Sequence, residues 1–307
     1  MKSFFLSAML AMTIAVSAFS QTTMGPATLP ANAQTVIGDP MGYGQMGYGS
    51  PNFGVPNFGT QPMYPGDPMS AWCNNALRVL DQARMRARMA YAYGDYAVTK
   101  QHLVTGLTQA GASSSQFRGT GPITARAIQR GITLAAAIDS ASAGDPSGPR
   151  TVVYFLFKYY DFIARVARDL DLPFYIPYQN CGMCGDFNET LFERKFTEFA
   201  KEQLTNVLYT LAENTGYRVT PVGVPRAFLT ALAMTAGATA QDLRGSLWSR
   251  RYACEIIQLE QLCARINAYL SGSRYEYPSE FEAVNAAFRE AEWIVQRIGT
   301  VGTGCFR

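Results

Sequence analysis

Histidine is almost absent from this chain of 307 residues, in which His102 is the only one. A catalytic triad or a histidine-based metal site would therefore depend on a single side chain. The surrounding segment, TKQHLVTGL, has the spacing of an ordinary amphipathic helix. The sequence also lacks the Gly-x-Ser-x-Gly, His-Glu-x-x-His, phosphate-loop and dinucleotide-binding motifs. It gives no sign of these enzyme classes, and we expect no metal and no cofactor.

Charge is scarce between residues 21 and 70, where only Asp39 and Asp67 are charged. Gly, Pro, Met, Tyr and Phe dominate, and Met41–Thr60 repeats one five-residue pattern four times, as MGYGQ MGYGS PNFGV PNFGT. Such a composition cannot bury enough apolar surface to offset the entropy lost on ordering. We predict that residues 21–70 are a disordered, low-complexity tether. A segment that adheres to surfaces through its aromatic rings is the alternative.

Long apolar runs are missing after residue 20. Residues 1–20 read MKSFFLSAMLAMTIAVSAFS, with Lys2 before an apolar stretch and the small residues Ala18 and Ser20 before Gln21. This is the layout of a cleaved secretory signal, and the stretch is shorter than the roughly 20 residues that span a bilayer. We predict a signal peptide at residues 1–20, export to the periplasm or the extracellular space, and no transmembrane segment after cleavage. An uncleaved anchor helix is the alternative.

Six cysteines, an even number, favour disulfides in an exported protein. They are Cys73, Cys181, Cys184, Cys254, Cys263 and Cys305. Cys254 and Cys263 lie on opposite sides of one predicted helix, so they cannot pair with each other. We expect Cys254 to bond to the Cys181/Cys184 loop, and Cys73 to reach Cys305. The C-x-x-C spacing of that loop also fits a zinc site or a redox pair, although no βαβ pattern surrounds it.

Helical spacing takes over after Ser70, where apolar residues recur every three or four positions. Two clear stripes are Tyr252, Ile256, Leu259, Cys263, Ile266, Leu270 and Phe281, Val284, Phe288, Ala291, Val295, Ile298. The second begins with Ser279 and Glu282 at the spacing of a capping box. Further helices are predicted at Ala71–Tyr93, Asp95–Gln109, Ile123–Ser142, Thr151–Leu170, Phe187–Glu213 and Pro225–Ala240.

These patterns predict an all-α domain at residues 71–307, a bundle of seven or eight helices stapled by disulfides. Two subdomains divided near Gly144 are the alternative. The segment Thr215–Pro225 has room for one short strand.

Positive charge is concentrated early in this domain. Residues 71–135 contain eight Lys or Arg against Asp81 and Asp95, a balance of +6. We take Arg84, Arg86 and Arg88 as candidates for binding an acidic partner, either an unidentified protein or an anionic component of the cell envelope. Nucleic acid is disfavoured by the expected compartment. The alternative is that the patch contacts the acidic C-terminal helices of the same domain.

Two other features suggest sites. Trp293 lies off the apolar stripe of its helix and is a candidate for contact with an apolar partner. The carboxylate pairs Glu189/Glu193 and Glu198/Glu202 have the spacing of neighbours on a helix, and could resemble the acid and base of a glycosidase. A solvated helix face explains both pairs more simply.

The sequence therefore favours a non-enzymatic, exported helical protein of the cell envelope, with an interaction or structural role. A secreted hydrolase acting on cell-wall glycans is the first alternative. A thiol oxidoreductase using Cys181 and Cys184 is the second.

Deletion of Met41–Thr60 tests the tether prediction. We expect the melting temperature of the folded domain to stay unchanged, because a tether makes no stabilising contact with it. Thermal unfolding followed by circular dichroism measures this, and a decrease of several degrees would show that the repeat packs on the domain.

Overall fold

Eight α-helices account for most of the chain that the computed structural model describes, which is residues 68–117, 122–171, 185–215, 218–221, 224–246, 249–273 and 277–298. They are α1 Pro68–Ala92, α2 Tyr96–Gly111, α3 Ile123–Ala141, α4 Gly148–Arg165, α5 Gly185–Leu211, α6 Pro225–Gly245, α7 Ala253–Leu270 and α8 Glu280–Arg297. The prediction of an all-helical domain with seven or eight helices is confirmed. The segments predicted from apolar spacing agree with these helices to within a few residues at most ends.

Shorter elements of secondary structure connect or extend these helices in the described part of the chain. A 3₁₀ turn, Ser114–Gln116, follows α2, and a π-helical segment, Val166–Leu170, continues α4. Two strands, β1 Ala212–Thr215 and β2 Arg218–Pro221, form an antiparallel hairpin. The sequence had room for one short strand in this region, and the structure shows two.

The ends of two helices have the side-chain caps that satisfy otherwise unpaired N–H groups. Asp95 accepts a hydrogen bond from Val98 N at 3.0 Å at the start of α2. Ser279 Oγ accepts from Glu282 N at 3.2 Å and donates to Glu282 Oε2 at 3.1 Å at the start of α8. The capping box predicted at Ser279 is therefore present.

The helices pack around one continuous core that reaches from Trp72 in α1 to Ile298 after α8. Helix α1 packs mainly on α2, while α2, α3 and α4 contact one another. Helices α5 to α8 join this group through contacts of α3 with α6 and of α4 with α5. The suggested division near Gly144 is not seen in the described ranges, because α3 and α4, which flank Gly144, pack together.

Two adjacent tyrosines of α4 fit against glycines of neighbouring helices. Tyr159 is buried, and its hydroxyl donates to the carbonyl of Ala127 in α3 at 3.1 Å. A Cβ atom at Gly131 would overlap the Tyr159 ring. Tyr160 makes the equivalent contact with α2, because its hydroxyl donates to the carbonyl of Leu103.

Gly106 of α2 lies against side chains of both α1 and α4. A Cβ atom there would overlap both the Ala83 side chain of α1 and the Tyr160 hydroxyl of α4. The absence of a side chain at Gly106 therefore allows α1 to approach α2 closely.

The substitution G106A tests this close approach. We expect the free energy of unfolding to fall by about 1–3 kcal/mol, because a methyl group must displace packed neighbours. The matched control is G245A in the last turn of α6, where an added Cβ atom meets no atom within 4 Å. Urea unfolding measures both variants, and equal stability of G106A and the wild type would contradict the packing described.

Candidate interaction surface

Helix α1 presents one face to the core and a wide opposite face to solvent. The buried face consists mostly of small residues: Trp72, Cys73, Ala76, Leu80, Ala83 and Ala87. Met85 and Met89 lie on the opposite side of the helix, where their exposed fractions are 61% and 67%. Tyr93, just beyond the end of α1, is 87% exposed. Two methionines of this helix and the tyrosine that follows it are therefore exposed to solvent, whereas Trp72 and Leu80 are buried.

Arg84 is less exposed to solvent than Arg86 and Arg88. Its Nη1 atom lies 2.7 Å from Asp161 Oδ1 of α4, and only a quarter of its side chain is exposed. Arg84 and Arg88 are four residues apart, which is the spacing of neighbours on one helix face, but Arg84 forms an ion pair between helices. Its charge is therefore largely compensated within the domain.

Arg86 and Arg88 are both exposed. Arg86 lines a shallow groove of about 80 Å³ between α1 and α2. His102 of α2 lines the same groove, together with Val79, Gln82, Ala83, Thr105, Gly106 and Gln109. The structure thus places His102 on a helix surface, as its sequence context indicated.

We use the name outer strip for Met85, Arg86, Arg88, Met89 and Tyr93. The strip combines cationic and apolar side chains on the solvent side of α1. Sequence reasoning found the arginines but missed the methionines. Their positions opposite the core stripe of α1 were the signal that could have identified them.

Trp293 is 45% exposed on α8. The guanidinium of Arg297 lies over its ring, 4.7 Å from the centroid. Arg297 Nε also donates to Glu255 Oε1 of α7 at 3.3 Å. One face of the indole is therefore occupied by a cation–π contact within the domain, which leaves less of it for a partner than the sequence suggested.

The cysteines differ from the expectation that all six are cross-linked. Cys73 and Cys263 carry thiols rather than disulfide sulfurs, so the predicted pairing of Cys73 with Cys305 is not formed. Cys73 is buried beside Asp171, and Cys263 accepts a hydrogen bond from Asn267 Nδ2 at 3.4 Å. Cys254 is disulfide-bonded.

Cys181, Cys184 and Cys305 lie outside the described residues. The predicted bond from Cys254 to the Cys181/Cys184 loop and the redox and zinc interpretations of this loop therefore remain predictions.

Asp171 joins the start of α3 to the segment that follows α4. Its carboxylate accepts from Thr124 N at 3.2 and 3.3 Å and from the Thr124 hydroxyl. Cys73 Sγ donates to the same carboxylate at 3.5 Å. Since Pro122 precedes α3 and makes no side-chain cap, Asp171 supplies the cap from a distant part of the chain. Burial raises the pKa of Asp171 above its ordinary value, and the hydrogen bonds from Thr124 oppose this.

The carboxylate pairs give a mixed result. The side chains of Glu189 and Glu193 are outside the described part of the structure. Glu198 is half-buried and lies 3.9 Å from Arg194 Nε. Glu202 is also half-buried, and burial raises its pKa. The simple interpretation of a solvated face therefore does not describe Glu202 fully.

Within the described ranges, no group of three or more His, Cys, Asp or Glu side chains could hold a metal ion. None of the helices described here is both long enough and apolar enough to cross a membrane. Comparisons with protein-family models, with curated proteins and with solved structures found no match to this chain.

Substitutions at Asp171 test its role as a remote cap. D171A should lower the free energy of unfolding by about 1–2 kcal/mol, because Thr124 N loses its acceptor. D171N keeps an acceptor oxygen and cannot ionise, so we expect it to be at least as stable as the wild type at pH 7. Urea unfolding at pH 4 to 8 measures all three proteins.

The contribution of Asp171 to the stability of the domain depends on pH. Because the folded pKa of Asp171 is raised, its stabilising contribution is full below the unfolded pKa of about 4 and is lost as the pH rises through the folded pKa. D171N should lack this loss. A lower stability of D171N than of the wild type at pH 7 would contradict this expectation and would show that the negative charge at the start of α3 stabilises the domain.

Proposed function

We propose that this protein is a non-enzymatic, exported helical protein of the cell envelope that binds a partner through the outer strip of α1. The layout of residues 1–20 supports export. The low-complexity segment at residues 21–70 would then connect the helical domain to its site of action.

The observation that carries the proposal is the exposure of the outer strip. Met85, Met89 and Tyr93 are more exposed than buried, although large apolar side chains are usually placed in a core. Arg86 and Arg88 lie among them. Exposed apolar side chains together with cations mark surfaces that bind partners of complementary charge. Arg84 is not part of this surface because Asp161 holds it.

We also propose that disulfides cross-link the domain after export. Cys254, which is disulfide-bonded, is the point of attachment for the Cys181/Cys184 loop in this proposal. Such a bond would connect the start of α7 to the segment before α5. It would stabilise the domain mainly by restricting the unfolded chain.

A secreted hydrolase is the second candidate, and Glu202 is the observation that favours it. Its Oε2 atom is buried without a hydrogen-bond partner in the described structure, and its raised pKa suits a general acid. Glycoside cleavage, however, needs two carboxylates that flank the scissile bond. Glu198 and Glu202 stand one turn apart on the same helix, and Glu198 is close to Arg194. The interaction role is therefore the better supported.

Charge reversal on the outer strip tests the interaction role. We expect the mature protein to capture a partner from an envelope fraction, and R86E/R88E to lose it because two attractive charges become repulsive. The control is R150E/R289E, which makes the same change in net charge at two exposed arginines on α4 and α8. Affinity capture followed by mass spectrometry measures the result. Equal recovery by the two double variants would refute the role assigned to the outer strip.

A further inference from the structure

We propose that the partner of the outer strip is the surface of an anionic lipid bilayer, on which α1 lies as an interfacial helix. This inference rests on the proposed function, since it names the partner of the same surface. The apolar side chains would enter the boundary between headgroups and acyl chains, and the arginines would contact lipid phosphates.

The geometry of α1 suits this arrangement. Met85 and Met89 are one turn apart, so both project from the same side of the helix. Ala83 and Ala87 are buried on the side that packs on α2. The two methionines, exposed by 61% and 67%, therefore form the outermost apolar part of α1. Tyr93, at 87% exposure, adds an amphipathic ring of the kind that favours the membrane interface.

The charge of α1 is complementary to anionic lipid. The helix contains four arginines and Asp81 as its only acid, a balance of +3 from 4 − 1. Removing Arg84, which is paired with Asp161, leaves +2. Each cation near an anionic surface strengthens binding, and the effect decays within a Debye length.

Helix α4 also exposes a cation and an aromatic ring, and it contacts the end of α1. The Tyr91 ring of α1 lies edge-on against Phe157 of α4, with centroids 5.7 Å apart. Next to Phe157 in the sequence, the exposed Lys158 lies over the exposed ring of Tyr154. A cation and an aromatic ring thus stand near the C-terminal end of α1.

The shape of the surface favours a bilayer over an acidic protein. The groove beside Arg86 is only about 80 Å³, which is too small for a large aromatic anchor. The centre of the outer strip consists of flexible thioethers on a convex helix rather than rigid rings in a pocket. A bilayer conforms to such a ridge, whereas a protein would need a matching groove of its own.

A second exposed aromatic ring of the domain lies in acidic surroundings. Phe281 of α8 is 56% exposed, about as much as Met85. It stands between Glu280 and Glu282, however, and these carboxylates would repel anionic lipid. Exposure alone therefore does not define the proposed site, and Phe281 offers a matched control position.

The experiment is vesicle flotation with the mature protein, residues 21–307. The vesicles are phosphatidylcholine, or phosphatidylcholine mixed with phosphatidylglycerol. We expect binding to the mixed vesicles that weakens with added salt, and little binding to the neutral ones. Both M85S/M89S and R86Q/R88Q should lower the affinity by about tenfold. R86K/R88K should restore most of the loss caused by glutamine, and F281S should bind as the wild type does.

The outcomes separate the two proposals. If the wild type does not bind the mixed vesicles, or if M85S/M89S and R86Q/R88Q bind equally well, the bilayer proposal is overturned. If F281S weakens binding as much as M85S/M89S, binding is general hydrophobic adhesion, and the proposal also fails. If vesicles are not bound but R86E/R88E still loses a captured protein, the proposed function stands with a protein partner. Thermal unfolding confirms that each variant is folded, which we expect because all the changed side chains are exposed.

Discussion

The positions of α1, α2 and α3 depend on how two neighbouring tyrosines of α4 fit against them. Tyr159 and Tyr160 project from α4 in directions about 100° apart, so one reaches α3 and the other α2. Each hydroxyl donates to a backbone carbonyl. Burial raises the pKa of both hydroxyls, which keeps them protonated as donors. Because Gly131 and Gly106 leave room for these side chains, the helices come together without empty space.

The outer strip is a consequence of this arrangement. Helix α1 approaches α2 closely because its buried side includes three alanines, of which Ala83 lies directly against Gly106. The alanines are buried on one side of the helix, together with Trp72 and Leu80. The methionines and arginines of the outer strip lie on the opposite side, toward solvent. The way in which α1 packs against α2 therefore also determines which side chains of α1 are exposed to solvent.

The sequence was sufficient to predict the helices and most of their buried faces, although Phe281, which it placed on the apolar stripe of α8, is 56% exposed. Apolar spacing located all eight helices, and the residues at Ser279 and Glu282 located the start of α8, because these signals are local and depend on one helix at a time. Apolar spacing did not predict the contacts between helices. That Arg84 meets Asp161, that Asp171 caps α3 from a distance, and that Cys73 is a thiol beside Asp171 all depend on which helices become neighbours. Helical spacing assigns a residue to a face but does not say what packs against that face.

For the same reason, the sequence predicted the outer strip only in part. The sequence identified a basic segment and proposed Arg84, Arg86 and Arg88 together as candidates for binding an acidic partner. The fold distinguishes them, since Arg84 is compensated by Asp161 whereas Arg86 and Arg88 remain at the surface. Two copies that met strip to strip would bring these exposed arginines close together, and like charges at short distance oppose association. The outer strip is therefore suited to a surface of opposite charge rather than to a second copy of this chain, even though its methionines would favour either contact.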